Sequence, residues 1–239
     1  MQSKTRFFIL TLLIVFMLTS CGQAPVLIPQ EFIETPHPKA GSNEWLTLNH
    51  SKNQFEVEVI NGKLKVEKVD EVHACELTTS NGKLVGVNRG EWGGTLTFVP
   101  SDTLKSKVEI KSGNIKFLFS FKDKIYFIEG LAHLSISSGA LYELDETNDS
   151  FTYKKLIDFD DAPEAFTIYH DKFLIATHER FYVVQDFKKE LVVQDTFWSS
   201  LYPNSIAVLD DKNVFIGIRS GIAKLDLTTK SLKFYKNDK

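Results

Sequence analysis

Arg89, Glu91 and Trp92 stand within four residues of one another in the stretch NRGEWGG, between glycines that free the backbone. A guanidinium, a carboxylate and an indole this close can anchor a partner, since Trp and Arg are enriched at binding hot spots. The alternative is a tight turn with Trp92 packed inward. A second cluster, THERF, sets His178 and Arg180 on either side of Glu179. Further on come Trp198 and Tyr202 in FWSSLYPNS, and Arg219 in IRSG. If Arg89, Arg180 and Arg219 converge, they make a cationic edge for carboxylates or phosphates, which the planar guanidinium grips bidentately. If not, they are polar residues where strands reach solvent.

Other chemistries fit the residues less well. His170 and His178 fall at opposite ends of one expected hairpin, so they do not make a zinc pair. Asp158, Asp160, Asp161 and Glu164 offer hard oxygens for calcium but lack the EF-hand spacing and glycine, and read as a solvated loop. No metal site and no cofactor is expected. There is no nucleophile elbow, no phosphate-binding glycine loop and no His-Glu pair at helical spacing, so no catalytic residue can be assigned. Cys75 reads as a small buried apolar residue, because a catalytic thiol would need a partnering base. The formal charge of −3 gives no support to nucleic-acid binding.

The start of the chain gives an address. Lys4 and Arg6 precede the apolar run Phe7–Met17, which ends in Leu18-Thr19-Ser20-Cys21. A basic segment, a short apolar run and small residues before a cut site make a secretory signal peptide. The run is short for a bilayer, which needs ~20 residues. Leu-x-Ser-Cys resembles the bacterial lipobox. That resemblance implies that Cys21 becomes the acylated first residue after removal of 1–20, anchoring the protein in the membrane of the cell envelope. Two or three acyl chains hold stably where one does not. Gly22, in place of the aspartate that marks inner-membrane retention, favours the outer membrane facing the periplasm in a Gram-negative cell. Loss of Lys4 and Arg6 makes the remaining chain more acidic still.

Residues 21–43, with Pro25, Pro29, Pro36 and Pro38, read as a lipidated cysteine and a tether, though PVLIPQEFIE could dock as an edge strand. From 44 to 239 the pattern is short apolar-alternating runs closed by Asn, Asp, Gly or Lys, the signature of an all-β domain. No amphipathic helix of ten residues is evident. The runs SNGKLVGV, FKDKIYFI, YHDKFLIA and DDKNVFIGI repeat one strand–turn–strand design, with Lys83, Lys124, Lys172 and Lys212 spaced roughly 40–50 residues apart. Four units follow, from Cys75 to Ser112, Ile115 to Phe159, Phe166 to Thr196 and Ser205 to Lys236, with a partial unit at 45–69. This predicts a β-propeller of about five four-stranded blades, with a β-sandwich or smaller open β-fold as the alternative. SGIAKLDLTTKSLKFY and GALYELDETNDSFTYKKL resemble the repeats of quinoprotein-type and sensor-type propellers.

On a propeller, the turns between second and third strands and the links between blades share one face. That places Arg89, Glu91, Trp92, His178, Arg180, Trp198, Tyr202 and Arg219 together. The leading expectation is a non-catalytic envelope lipoprotein whose face engages a partner protein, an envelope component or an anionic ligand. One alternative is an immunity or inhibitor lipoprotein that neutralises a periplasmic toxin. Another is a propeller hydrolase or lyase, for which Glu91, Asp161 and Glu179 would have to converge.

Overall fold

The computed structural model of the chain describes residues 26–70, 73–147 and 150–238. The expected signal segment and Cys21 lie outside the described residues. Within them, no helix is long and apolar enough to cross a membrane.

The chain is all-β, built as separate small antiparallel sheets. The first is a hairpin of β2 (Gln54–Ile60) and β3 (Lys63–Val69). The second runs in chain order through β4 (Ala74–Thr78), β5 (Gly82–Asn88), β6 (Gly94–Pro100) and β7 (Val108–Ser112). The third is β8 (Ile115–Phe121), β9 (Lys124–His133), β10 (Ile136–Thr147) and β11 (Ser150–Phe159). The fourth is β12 (Pro163–Tyr169), β13 (Lys172–Thr177), β14 (Phe181–Gln185) and β15 (Lys188–Val193). The fifth is β16 (Ser205–Asp210), β17 (Asn213–Ile218), β18 (Gly221–Asp226) and β19 (Ser231–Asn237). These limits lie within a few residues of the repeat units read from the lysine spacing. The described strands do not form one closed barrel, and the separate sheets also fit the β-sandwich or open β-fold expected as the alternative.

Local sequence explains each hairpin. Along β2, Phe55 and Val57 are buried while Glu56 and Glu58 face out, a period-two alternation. Asn61 and Gly62 both take positive φ, 51° and 72°, which is the two-residue turn that matches strand twist. Lys122-Asp123 and Asp186-Phe187 turn with positive φ at both residues as well.

Apolar clusters join the second sheet to the third, the third to the fourth, the fourth to the fifth, and the fifth to the hairpin. Leu84, Leu96 and Phe98 of the second sheet pack on Phe127 and Tyr142 of the third. Phe119, Tyr126 and Ile128 of the third meet Phe173 and Ile175 of the fourth, with Phe119 and Phe173 edge to face at 5.3 Å. Leu174 and Ala176 of the fourth meet Ile206, Val214 and Ile216 of the fifth. Phe55 and Val57 of the hairpin meet Phe215 and Ile222 of the fifth. Close approach between sheets demands glycine at particular points. A Cβ on Gly86 would lie 2.6 Å from Ile115 Cγ2, and one on Gly217 would strike the carbonyl oxygen of Phe55.

Two elements precede the sheets. Within the segment that the prolines mark as a tether, β1 (Phe32–Thr35) pairs with β19, Phe32 opposite Asn237 and Thr35 opposite Phe234. Phe32 is buried edge to face on Phe55 at 5.1 Å. Burying such a ring stabilises by roughly 2 kcal/mol, which is why four residues flanked by prolines hold as a strand. Helix α1 (Asn43–Asn49), where the sequence suggested the first strands, is capped by Ser42, whose Oγ accepts from Trp45 N at 3.2 Å.

Candidate functional site

The loops that carry the expected site residues are tied to one another at one end of the sheets. Gly90–Trp92 forms a single 3₁₀ turn between β5 and β6. Asn114, buried at the β7–β8 corner, donates to Gly90 O at 2.9 Å and accepts from Arg89 N at 3.3 Å. Asn88 Oδ1 accepts from Gly90 N at 3.1 Å. From the far side of this turn, Glu91 reaches His133, in β9, with 3.0 Å between Oε2 and Nε2. The turn is thereby fixed from both flanks, and Trp92 stands out from it 79% exposed. It is not packed inward.

The next link is Asp161. Its carboxylate accepts from Thr177 Oγ1 at 2.7 Å, Glu179 N at 2.5 Å and Ala162 N at 3.0 Å, and from Ser137 Oγ. One buried side chain thus joins the β9–β10, β11–β12 and β13–β14 connections. His178 then pairs with Glu164 at 3.1 Å between Nδ1 and Oε1. That hydrogen bond raises the His178 pKa above its ordinary value, more than burial lowers it. Ser199 Oγ lies 3.5 Å from His178 Nε2 and 3.4 Å from Glu179 Oε1, and Ser199 O accepts from Trp45 Nε1 of α1 at 3.0 Å. Arg219 closes the chain of contacts. Its Nη1 donates to Asn49 O at 2.6 Å, and its guanidinium lies 4.3 Å from the Tyr202 ring centre. With its amide oxygen turned toward Arg219, Gln54 accepts from Nη2 at 2.9 Å and Nε at 3.0 Å.

These contacts sort the expected residues. Arg89, Glu91 and Trp92 sit on the surface turn, and Tyr202 is 40% exposed. Trp198 is not a surface anchor: it is fully buried and donates Nε1 to Thr177 O at 3.0 Å. A large apolar ring with one satisfied N–H is what a core position asks for. Arg180 donates to Asp160 O at 3.1 Å and lies 3.8 Å from Asp161 Oδ2. Arg180 and Arg219 are therefore spent on the loops themselves, and the expected cationic edge is reduced to Arg89.

The hydrolase trio does not assemble as free carboxylates. Glu91 is paired with His133, and the oxygens of Asp161 are engaged by four donors. The acidic run is likewise committed: Asp160 pairs with Lys189 at 2.7 Å, which lowers its pKa, and Asp158 pairs with Lys155 at 2.9 Å. Among the described residues no three His, Cys, Asp or Glu side chains gather to hold a metal. Burial pushes the Cys75 thiol up to about 11, which disfavours the reactive thiolate.

Two exposed apolar residues on the hairpin that Glu91 pairs with were not singled out from the sequence. Leu134 and Ile136, in and beside the β9–β10 turn, are 94% and 57% exposed. The Glu91–His133 pair holds their hairpin against the Trp92 turn. An isoleucine and a leucine around the tip of a polar hairpin were the available signal.

No family model and no curated protein matches the chain. Among solved structures, the chain is similar to the computationally designed Ika8 protein at 12% identity and a TM-score of 0.37, over 76% of this chain and 73% of that one. It is also similar to a chain in a complex of S. cerevisiae Dbp5 with Nup159, Gle1, IP6 and ADP at 8% identity and a TM-score of 0.27, over 77% of this chain and 65% of that one. Likeness at this level shows neither family nor function.

Proposed function

We propose that the protein is a non-catalytic binding lipoprotein of the cell envelope, held by acylated Cys21, whose loop end engages a partner protein. The observation that carries this reading is the exposed Trp92 on a turn clamped by Asn114 and by the Glu91–His133 pair. An indole left in water on an otherwise immobilised turn is an anchor that loses little freedom on binding. Leu134 and Ile136 are exposed on the hairpin tied to this turn by the Glu91–His133 pair, and Arg89 is an exposed cation on the turn itself.

The same proposal holds that the five sheets close as the blades of a propeller, with the β2–β3 hairpin as an incomplete blade. Two facts support it. The sheets follow one another in chain order, apolar clusters join the second to the third, the third to the fourth and the fourth to the fifth, and the hairpin packs on the fifth. A recess of about 570 Å³ is lined by residues of all five sheets or their connecting loops, including Glu56, Cys75, Phe117, Glu164 and Asn204. A disc of this kind offers many loops on a rigid support.

The test is photo-crosslinking in the envelope of expressing cells, with a crosslinking side chain in place of Trp92 and, separately, of Asp123 at the opposite end of β9. A discrete adduct from position 92 and none from 123 is the expected result. Equal adducts from both ends, or none from 92, would reject the loop end as the binding face.

A further inference from the structure

The 570 Å³ recess has the size of small-molecule sites, which run from about 300 to 1,000 Å³. Its wall is unequal in charge. Glu56, Asp70 and Glu164 line it, against a single lysine, Lys116, while Val69 and Phe117 supply apolar surface. A group of acids alone would mean little, since acids on a wet surface repel and hydrate. Glu164 differs from the other two.

The Glu164 side chain is only 6% exposed. Oε1 is held by His178 Nδ1, but Oε2 is buried and has no hydrogen-bond partner. His178 cannot serve both oxygens, because its second nitrogen faces Ser199 Oγ on the other side of the ring. A buried carboxylate oxygen without a donor is costly, and such orphans are few in native proteins. Glu164 therefore lines a ligand-sized, acid-rich recess while keeping one buried oxygen without a donor.

We propose that this recess binds a small primary amine with an aromatic or apolar body, its ammonium taking the unpaired oxygen of Glu164 and its body lying on Val69 and Phe117. An ammonium brings three donors and a charge opposite to the three carboxylates. His178 is engaged by Glu164, and Arg219 by Asn49 O and Gln54, which leaves Lys116 as the lining cation that an anion could take. Trp92 does not line the recess, although Asn88, which holds Gly90 N of its turn, does, and the site depends neither on the lipid anchor nor on a partner protein.

The test uses the full chain in a neutral detergent, titrated with tyramine and observed by NMR of the ligand. The neutral alcohol of the same skeleton, 4-(2-hydroxyethyl)phenol, and the anion 4-hydroxyphenylacetate are titrated alongside. Tyramine is expected to bind at least about tenfold tighter than either analogue, the value of one charge-assisted hydrogen bond. Glu164→Gln should weaken tyramine by about tenfold or more, and partition into the detergent is the same for both proteins. Because Glu164 is buried, a second variant guards against misfolding. Ala74 lines the recess yet is exposed, so Ala74→Trp fills the space without entering the core. It should abolish tyramine binding at an unchanged melting temperature. Equal binding of amine and anion, no binding of tyramine, or binding that survives both substitutions would overturn the proposal.

Discussion

Thr177 donates its hydroxyl to the buried carboxylate of Asp161 at 2.7 Å, and the same oxygen accepts from Glu179 N at 2.5 Å. Asp161 is 1% exposed and is the common acceptor of four donors, so its removal leaves several of these groups short of a partner. Asp161→Ala should therefore cost about 3 kcal/mol or more, since each buried donor left unsatisfied costs ~1–3 kcal/mol. Chemical denaturation measures this. A loss below about 1 kcal/mol would mean that the loops hold without it.

The two tryptophans of the expected site should behave oppositely. Trp198→Ala removes a fully buried ring and its bond to Thr177 O, and should cost ~3–5 kcal/mol. Trp92→Ala removes a ring mostly in water and should stay within about 0.5 kcal/mol of wild type. Thermal melting of both variants checks the contrast.

Shortening the N-terminal segment should matter where it reaches β1. Phe32→Ala loses the contact with Phe55 and should destabilise by ~3 kcal/mol or more. A chain beginning at residue 43 should melt lower than one beginning at 23, because it lacks the strand paired with β19 and the packing of Val26 and Ile28 on the same cluster. Equal midpoints would show that β1 adds nothing to stability.

The Glu164–His178 pair makes a pH-dependent contribution. The His178 pKa is raised in the folded protein, so its contribution is fully present below the unfolded value of about 6.5. It is lost as pH rises through the elevated folded value. The melting-temperature gap between wild type and His178→Asn should be widest near pH 6 and should narrow toward pH 8. A gap that widens with pH would reverse the sign and reject the pairing. Asp161 and Glu179 are the other charges that favour protonated His178.

Much of the architecture was legible because β-structure advertises itself by alternation and by turn chemistry. The Asn61-Gly62 turn and the repeated lysine after each first hairpin turn placed the strands within a few residues. Helix α1 was less visible: Trp45, Leu46 and Leu48 alternate with polar residues over too short a span to separate seven residues of helix from a strand. The prolines around β1 argued correctly against a long element and left room for four residues. Within the site, Trp92 and Trp198 look alike in sequence, each beside turn residues. Only tertiary contacts put one in solvent and the other against Thr177 O. Arg180 and Arg219 read as free cations because their acceptors, Asp160 O and Asn49 O, are backbone atoms 20 and 170 residues away. The open acceptor on Glu164 was invisible for the same reason.

The central claim is that Trp92 serves binding and not folding. The direct measurement is capture from envelope extracts on immobilised full-length wild type and Trp92→Ala, with the melting temperature of each recorded in the same buffer. A species specifically retained by wild type should be lost from the variant, while the two melting temperatures agree within about 2 °C, the shift of half a kcal/mol in a domain of this size. Retention of the same species by Trp92→Ala, or a loss of binding accompanied by a fall of about 10 °C, would contradict that claim.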